Sequence, residues 1–163
     1  MRIPVFNPEE GYDLFAENYS SDWNFLDGFE GYELFNTLGE LKGKKVLDVG
    51  CGTGRLVKEL IDRGAELSCV DISAEMLKVL KSKFRQVEAV KADINHLPFK
   101  ENTFDVVVAT FVIVHLKNLK TAFDEVYRVL KDGGIFVLTN INQRKGPKLM
   151  VKKGQKIVIE SFY

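Results

Sequence analysis

Cysteine is scarce, net charge is zero and long apolar runs are missing in this chain of 163 residues. Two cysteines, Cys51 and Cys69, do not make a disulfide framework; reduced thiols in a cytoplasmic protein are the simpler reading. No apolar run approaches the roughly 18 residues that a membrane-spanning helix requires. The start, Met1-Arg2-Ile3-Pro4-Val5, has no apolar stretch of signal-peptide length. Lys and Arg together number 23, as do Asp and Glu. That balance argues against a broad nucleic-acid footprint, though not against a small basic patch. No His/Cys cluster has metal-ligand spacing, so no metal is expected. What is present is ordinary globular composition, 45% hydrophobic and 28% charged, at a length suited to one domain with one core.

Patterning divides the chain at about residue 40. Residues 1–39 are aromatic and acidic, and Tyr12, Phe15 and Tyr19 stand three and four apart, on one helical face. Leu34, Phe35, Leu38 and Leu41 repeat that spacing. From Lys45 onward, strand-like and helix-like segments alternate. Apolar runs at 45–49, 65–70, 87–90, 104–109 and 135–139 predict strands, and amphipathic stripes at 56–61, 76–80 and 119–130 predict helices. Ser73 is placed to cap the second of these helices, and Asp132-Gly133-Gly134 to stop the third. Uninterrupted apolar strands separated by helices indicate a doubly wound α/β fold with a mostly parallel, Rossmann-like sheet. Such sheets bind ligands at their carboxyl ends. Gly50, Asp71, Asp93, Thr110 and Asn140 then share one edge.

The most informative segment is Val46-Leu47-Asp48-Val49-Gly50-Cys51-Gly52-Thr53-Gly54. An apolar strand runs into three glycines, and a helix follows, the arrangement of a nucleotide-binding turn. A dinucleotide fingerprint would place its third glycine at position 55, which is Arg55; here the third glycine is Gly54. Asp48 puts a carboxylate at the strand end, where a pyrophosphate would be repelled and a cationic ligand accommodated. Asp71, at the end of the second strand, can accept from both hydroxyls of a ribose; the alternative is an acidic residue favoured by the next helix dipole. A glycine turn in an unrelated α/β protein remains the alternative for the nonapeptide as a whole.

On these residues the chain resembles the class I S-adenosylmethionine-dependent methyltransferases, whose first motif is hydrophobic-Leu-Asp-hydrophobic-Gly-x-Gly-x-Gly. Leu97-Pro98-Phe99 before Phe104-Asp105, and Leu130-Lys131-Asp132-Gly133-Gly134, are similar to further segments of that family, with Asp132 where proline is usual. Tyr12-Asp13 with Ala16 and Tyr19 resembles the amino-terminal segment of its ubiquinone/menaquinone-biosynthesis branch, where the helix forms a lid over cofactor and acceptor. An ordinary amphipathic helix is the alternative there.

The resemblance implies S-adenosylmethionine as cofactor. Asp48, Gly50, Cys51, Gly52 and Gly54 would lie at its methionine end, and Asp71 at the ribose. Asp93 would meet the adenine amine, with Ile72 and Ile94 on the ring faces, and Met76, Thr110 and Tyr19 would complete the site. Asp93 reads alternatively as a turn aspartate. His115, just past the fourth strand, is the candidate general base, because histidine titrates near neutrality; a packed helix-start histidine is the other reading. The motif of DNA-base and protein-glutamine methylating enzymes does not follow the fourth strand, so the acceptor implied is a small molecule.

The expected organisation is a helical, lid-like segment at 1–39 and a cofactor-binding domain at 40–163. Only 23 residues follow Asn140 (163 − 140), which predicts a sheet short at its carboxyl-terminal end or a chain cut short. Within them, Lys156 to Phe162 reads as a strand, and the basic residues Arg144, Lys145, Lys148, Lys152, Lys153 and Lys156 as a solvated loop. Two rival functions stay open, the first favoured by the same shortness. One is a non-catalytic cofactor-binding module or regulatory subunit. The other, a nicotinamide-binding domain, is opposed by Arg55.

Overall fold

The computed structural model describes residues 4–19 and 34–140, and the backbone of 148–152 and 155–159. In chain order the elements are β1 (Val5–Phe6), α1 (Pro8–Phe15), α2 (helical at 34–38) and β2 (Lys45–Val49). They continue with α3 (Val57–Asp62), β3 (Glu66–Asp71), α4 (Ala74–Lys83) and β4 (Glu88–Lys91). After these come β5 (Phe104–Thr110), α5 (Leu119–Val129), β6 (Leu130–Thr139), β7 (Lys148–Lys152) and β8 (Gln155–Ile159).

The five apolar runs form one parallel sheet ordered β4-β3-β2-β5-β6. The chain leaves β2 in one direction through β3 and β4, then crosses to the other side of β2 for β5 and β6. That reversal lies between β2 and β5, and in open parallel sheets the crevice outside such a switch point is where ligands bind.

Alternation along the strands sends side chains to two covered faces. Val46, Val106 and Val108 pack on one face against Leu34, Leu38, Leu41, Leu56 and Leu60. Leu47, Val49, Val107 and Ala109 pack on the other against Leu116, Ala122, Val126 and Val129. Nearly all are fully buried, and each large aliphatic side chain so placed contributes roughly 1.5–3 kcal/mol. Three of the helices begin at side-chain caps. Asn7 accepts from the Glu10 amide at 3.0 Å, and Ser73 caps α4 as expected, accepting from Met76 N at 3.1 Å. Asn118 caps α5 through Lys120 N and Thr121 N. At the amino ends of the strands, Asp105 accepts from Lys45 N and Lys131 Nζ, both at 2.8 Å, joining β2, β5 and β6 away from the ligand edge.

Three expectations are corrected. The helix before β6 ends at Val129, not at Asp132-Gly133-Gly134. The strand begins at Leu130 and carries the two glycines as an irregularity against Phe104–Val106, with Gly133 at φ +75°. Tyr12, Phe15 and Tyr19 do pack together with Phe6, but α1 stops at Phe15 and a 3-10 turn over Ala16–Asn18 brings Tyr19 in. The basic residues expected in a loop are the third case: β7 and β8 pair antiparallel, and β8 pairs parallel with β1, in a separate three-stranded sheet. Lys148, Lys152 and Lys156 therefore sit in strands and not in a loop. Arg144, Lys145, Lys153 and residues 160–163 lie outside the described residues, as do Trp23, Phe25, Phe29 and Tyr32.

Candidate functional site

β2 delivers the chain to its turn at Gly50. Gly50, Gly52 and Gly54 take φ of +70°, +53° and +88°, the left-handed region that glycine enters at little cost. At Gly50 a second constraint operates: a Cβ there would stand 2.2 Å from Val112 Cγ2, in the loop after β5. Gly52 has more room, with Tyr19 Cε1 at 3.8 Å from the corresponding position. Gly54 faces Leu80 and Phe84 and not the cleft, so it serves the packing of the turn on α4.

Backbone donors of the turn reach β3. Gly50 N and Cys51 N donate to Val70 O at 2.8 and 3.1 Å. Gly52 N donates to Asp71 Oδ2 at 2.8 Å, and Ser73 N to Asp71 Oδ1 at 2.9 Å. The Asp71 carboxylate, 8% exposed, is thereby held between the glycine turn and the start of α4. Burial pushes its pKa up, the Ser73 and Gly52 amides pull it back, and the charge of Asp13 adds to the rise.

Cys51 lies in the turn and Cys69 on the neighbouring β3, both buried in one apolar cluster with Val57, Leu77 and Leu80. A hydrogen bond with Cys69, followed by burial, raises the Cys51 thiol well above its ordinary value.

Above the carboxyl ends of β2, β3 and β5 opens a cleft of about 570 Å³, within the range of small-molecule sites. Of the residues singled out in the sequence, Asp48, Gly50, Cys51, Gly52, Asp71, Ile72, Met76, Asp93, Ile94, Thr110, Tyr19 and His115 all border it. Asp48 is buried at the end of β2. Asp93 Oδ1 accepts from Asn95 N and Asn95 Nδ2 at 2.9 and 2.8 Å, so its role as a turn aspartate is present alongside its place on the cleft.

Several cleft residues were not legible as such. Arg55 Nη2 donates to Thr110 Oγ1 at 3.1 Å, and its guanidinium lies 5.4 Å from the Phe111 ring centroid. Phe111 itself adopts φ +60°, a conformation that no feature of the residue announces.

Another part of the cleft border comes from α1, the turn after it and the loop after β5. The Tyr12 hydroxyl and His115 Nε2 are 2.8 Å apart, with the rings edge to face at 5.3 Å. Tyr19 stands edge to face with Tyr12 at 5.7 Å. Burial raises the Tyr12 hydroxyl well above its ordinary value and pushes Tyr19 up to about 12. The next residue, Asp13, turns the other way: its Oδ1 accepts from Ser73 Oγ at 2.5 Å and from Glu75 N at 3.2 Å. A Glu9–Lys91 ion pair adds a tie to β4. Among the described residues, no group of three His, Cys, Asp or Glu is arranged to hold a metal ion, and no helix is long and apolar enough to cross a membrane.

A parallel sheet with its switch point between β2 and β5, a glycine turn at that point and a cleft above it define a Rossmann-like cofactor-binding domain of the class I methyltransferase type. The family described as methyltransferase domain matches residues 47–138, and the chain belongs to that family. It is 30% identical over 155 residues to an uncharacterized methyltransferase of Anoxybacillus flavithermus, covering 92% of this chain and 72% of that protein. To a demethylmenaquinone methyltransferase of Staphylococcus aureus it is 32% identical over 151 residues, covering 84% and 62%. A solved S-adenosylmethionine-dependent methyltransferase of Aquifex aeolicus shares the fold at a TM-score of 0.70 and 23% identity, over 83% of this chain and 77% of that one. The chain spans 38% to 72% of the length of the curated relatives it matches.

Proposed function

We propose that this chain binds S-adenosylmethionine in the cleft above β2, β3 and β5 and transfers its methyl group to a small-molecule acceptor in the cytoplasm. The observation that supports this most is the Asp71 carboxylate, buried at the cleft and held by two backbone amides that it shares with the glycine turn and α4. The donor set suits a cationic adenosyl ligand, since Asp48, Asp71 and Asp93 border the cleft together with apolar Ile72, Met76 and Ile94.

Asp71 would hold the ribose hydroxyls and Asp93 the adenine amine, with Ile72 and Ile94 packing on the ring. Gly50, Cys51 and Gly52 would accommodate the methionine part, with Asp48 toward its positive end. Met76 and Thr110 would border the ligand, and Gly54 would support the turn from behind. Tyr19, whose ring lies near Gly52, would shield the sulfonium, and a cation–π attraction there contributes roughly 1 kcal/mol. Bound there, the cofactor supplies a methyl group already activated for displacement. The protein then has to align the acceptor and exclude water, and His115 would receive a proton released by the acceptor. A relative named as a demethylmenaquinone methyltransferase supports an acceptor of small-molecule size.

Calorimetry with S-adenosylhomocysteine is the test. Saturable binding is the expected result, and no binding at millimolar ligand overturns the reading. Binding without transfer of labelled methyl to any member of a broad acceptor panel would favour the non-catalytic module.

A further inference from the structure

The nitrogen that a histidine base would offer to an acceptor is already engaged in this site. His115 Nε2 lies 2.8 Å from the hydroxyl of Tyr12, a residue 103 positions away in sequence. We propose that Tyr12 stands between the acceptor and His115 as the first link of a proton relay, serving an acceptor that loses a proton when it is methylated. The inference rests on the methyltransferase reading and adds a proton-transfer residue to it.

Three features carry it. First, Tyr12 and His115 both border the cleft, so the pair can meet a molecule bound there. Second, the pair is built. Asp13, adjacent to Tyr12, is tied to Ser73 and Glu75, and Glu9 to Lys91, so α1 is anchored across the sheet edge at the point that presents Tyr12 to His115. Third, Tyr12 cannot serve as a base alone. Burial, the charge of Asp71 and a hydrogen bond with Tyr19 keep its hydroxyl protonated, so it takes up a proton only by passing its own onward. Other titratable or charged groups around the pair are Arg55, which faces Tyr19, and Asp48, Asp93, His96 and Lys117 on the cleft border.

The relay uses the imidazole tautomer with its proton on Nδ1, in which Nε2 accepts from the Tyr12 hydroxyl. With a hydroxyl acceptor, the O–H bond breaks as its proton passes to the Tyr12 oxygen and the Tyr12 proton passes to Nε2. The acceptor oxygen, or the enol carbon conjugated to it, forms the new bond to the methyl carbon, while the carbon–sulfur bond of the sulfonium donor breaks with its electron pair left on sulfur. The imidazolium then releases its proton to water. An acceptor that is already anionic, such as a carboxylate, has no need of the relay.

The test uses the full chain with S-adenosylhomocysteine and 4-nitrophenol, whose phenolate is coloured. Titration of the unaltered chain with S-adenosylhomocysteine comes first, and absence of binding there defeats the cofactor reading itself. With the site loaded, 4-nitrophenol is expected to bind with a larger phenolate fraction than the free compound at the same pH. Tyr12→Phe and His115→Gln, which keep a ring or a polar side chain in place, should each reduce the phenolate-to-phenol ratio of the bound probe by about tenfold. A merely structural role for the pair would change affinity without changing that ratio. S-adenosylhomocysteine binding combined with no probe binding, or with a phenolate ratio that neither substitution alters, overturns the relay alone.

Discussion

The two walls of the cleft are built on opposite principles. The glycine turn after β2 presents backbone: its amides bind Val70 and Asp71, and its side chains are nearly absent. The wall made by α1 and the loop after β5 presents side chains, Tyr12, Tyr19 and His115, joined across 103 positions of sequence. A cradle of backbone binds through atoms that every residue type supplies, whereas a wall of side chains binds through residue identity. The walls meet at Gly50, where the missing Cβ leaves room for Val112.

The largest expected effect comes from breaking that junction. Gly50→Ala combines a left-handed residue with an overlap at 2.2 Å from Val112 Cγ2 and should cost about 3 kcal/mol or more of unfolding free energy. Urea denaturation measures it, and adding Val112→Ala should recover part of the loss if the overlap is the main cause. Next, Asp71→Ala tests the backbone wall at its one carboxylate anchor. S-adenosylhomocysteine affinity should fall about tenfold or more in calorimetry, the loss expected from a charged hydrogen bond.

A smaller effect is expected in the support of the loop that carries Asp93 and Ile94. Arg128 donates to Leu97 O and Phe99 O, and Glu125 accepts from Leu97 N and Arg128, so the pair joins that loop to α5. The Arg128 hydrogen bond, more than any other contact, lowers Glu125 from 4.5 to about 2. A depressed carboxyl stabilises the fold above pH 4.5 and loses that contribution as pH falls toward 2. Discounted for partial exposure, Glu125→Gln should cost about 1–2 kcal/mol near neutrality, with the difference from the unaltered chain closing in that acid window. The smallest effect is that of Gly52→Ala, about 1 kcal/mol by the same denaturation measurement, since its Cβ meets only ordinary contact and only the backbone conformation is strained. An equal loss at Gly50 and Gly52 would mean that the walls do not press on each other at Gly50.

The difference between the walls also governs what could be read from sequence. The sheet was legible because strands covered on both faces become continuous apolar runs, and the backbone wall because Gly50, Cys51, Gly52 and Asp71 follow strand ends. Pairing between distant side chains has no local signature, so Tyr12 and Asp13 read only as parts of a lid-like segment and His115 as a separate candidate. Phe111 hides its left-handed backbone behind a residue type that rarely adopts it. Gly133-Gly134 read as a helix stop because glycine weakens strand and helix alike, and only the register against β5 separates the two. The pairing of β1 with β8 brings together opposite ends of the chain through two residues, too short for any period to register.

The buried thiols give the backbone wall a clock of its own. Cys51 and Cys69 are the only cysteines of the chain, both shielded in the cluster behind the glycine turn, and Cys51 is further quieted by its raised pKa. Cys51 borders the cleft, but an alkylating reagent in solution can reach the fully buried Cys69 only when the turn lifts from β3, so the labelling rate of Cys69 counts those openings. Any ligand that closes the turn would slow the count, and the chain would report its own occupancy without an added probe.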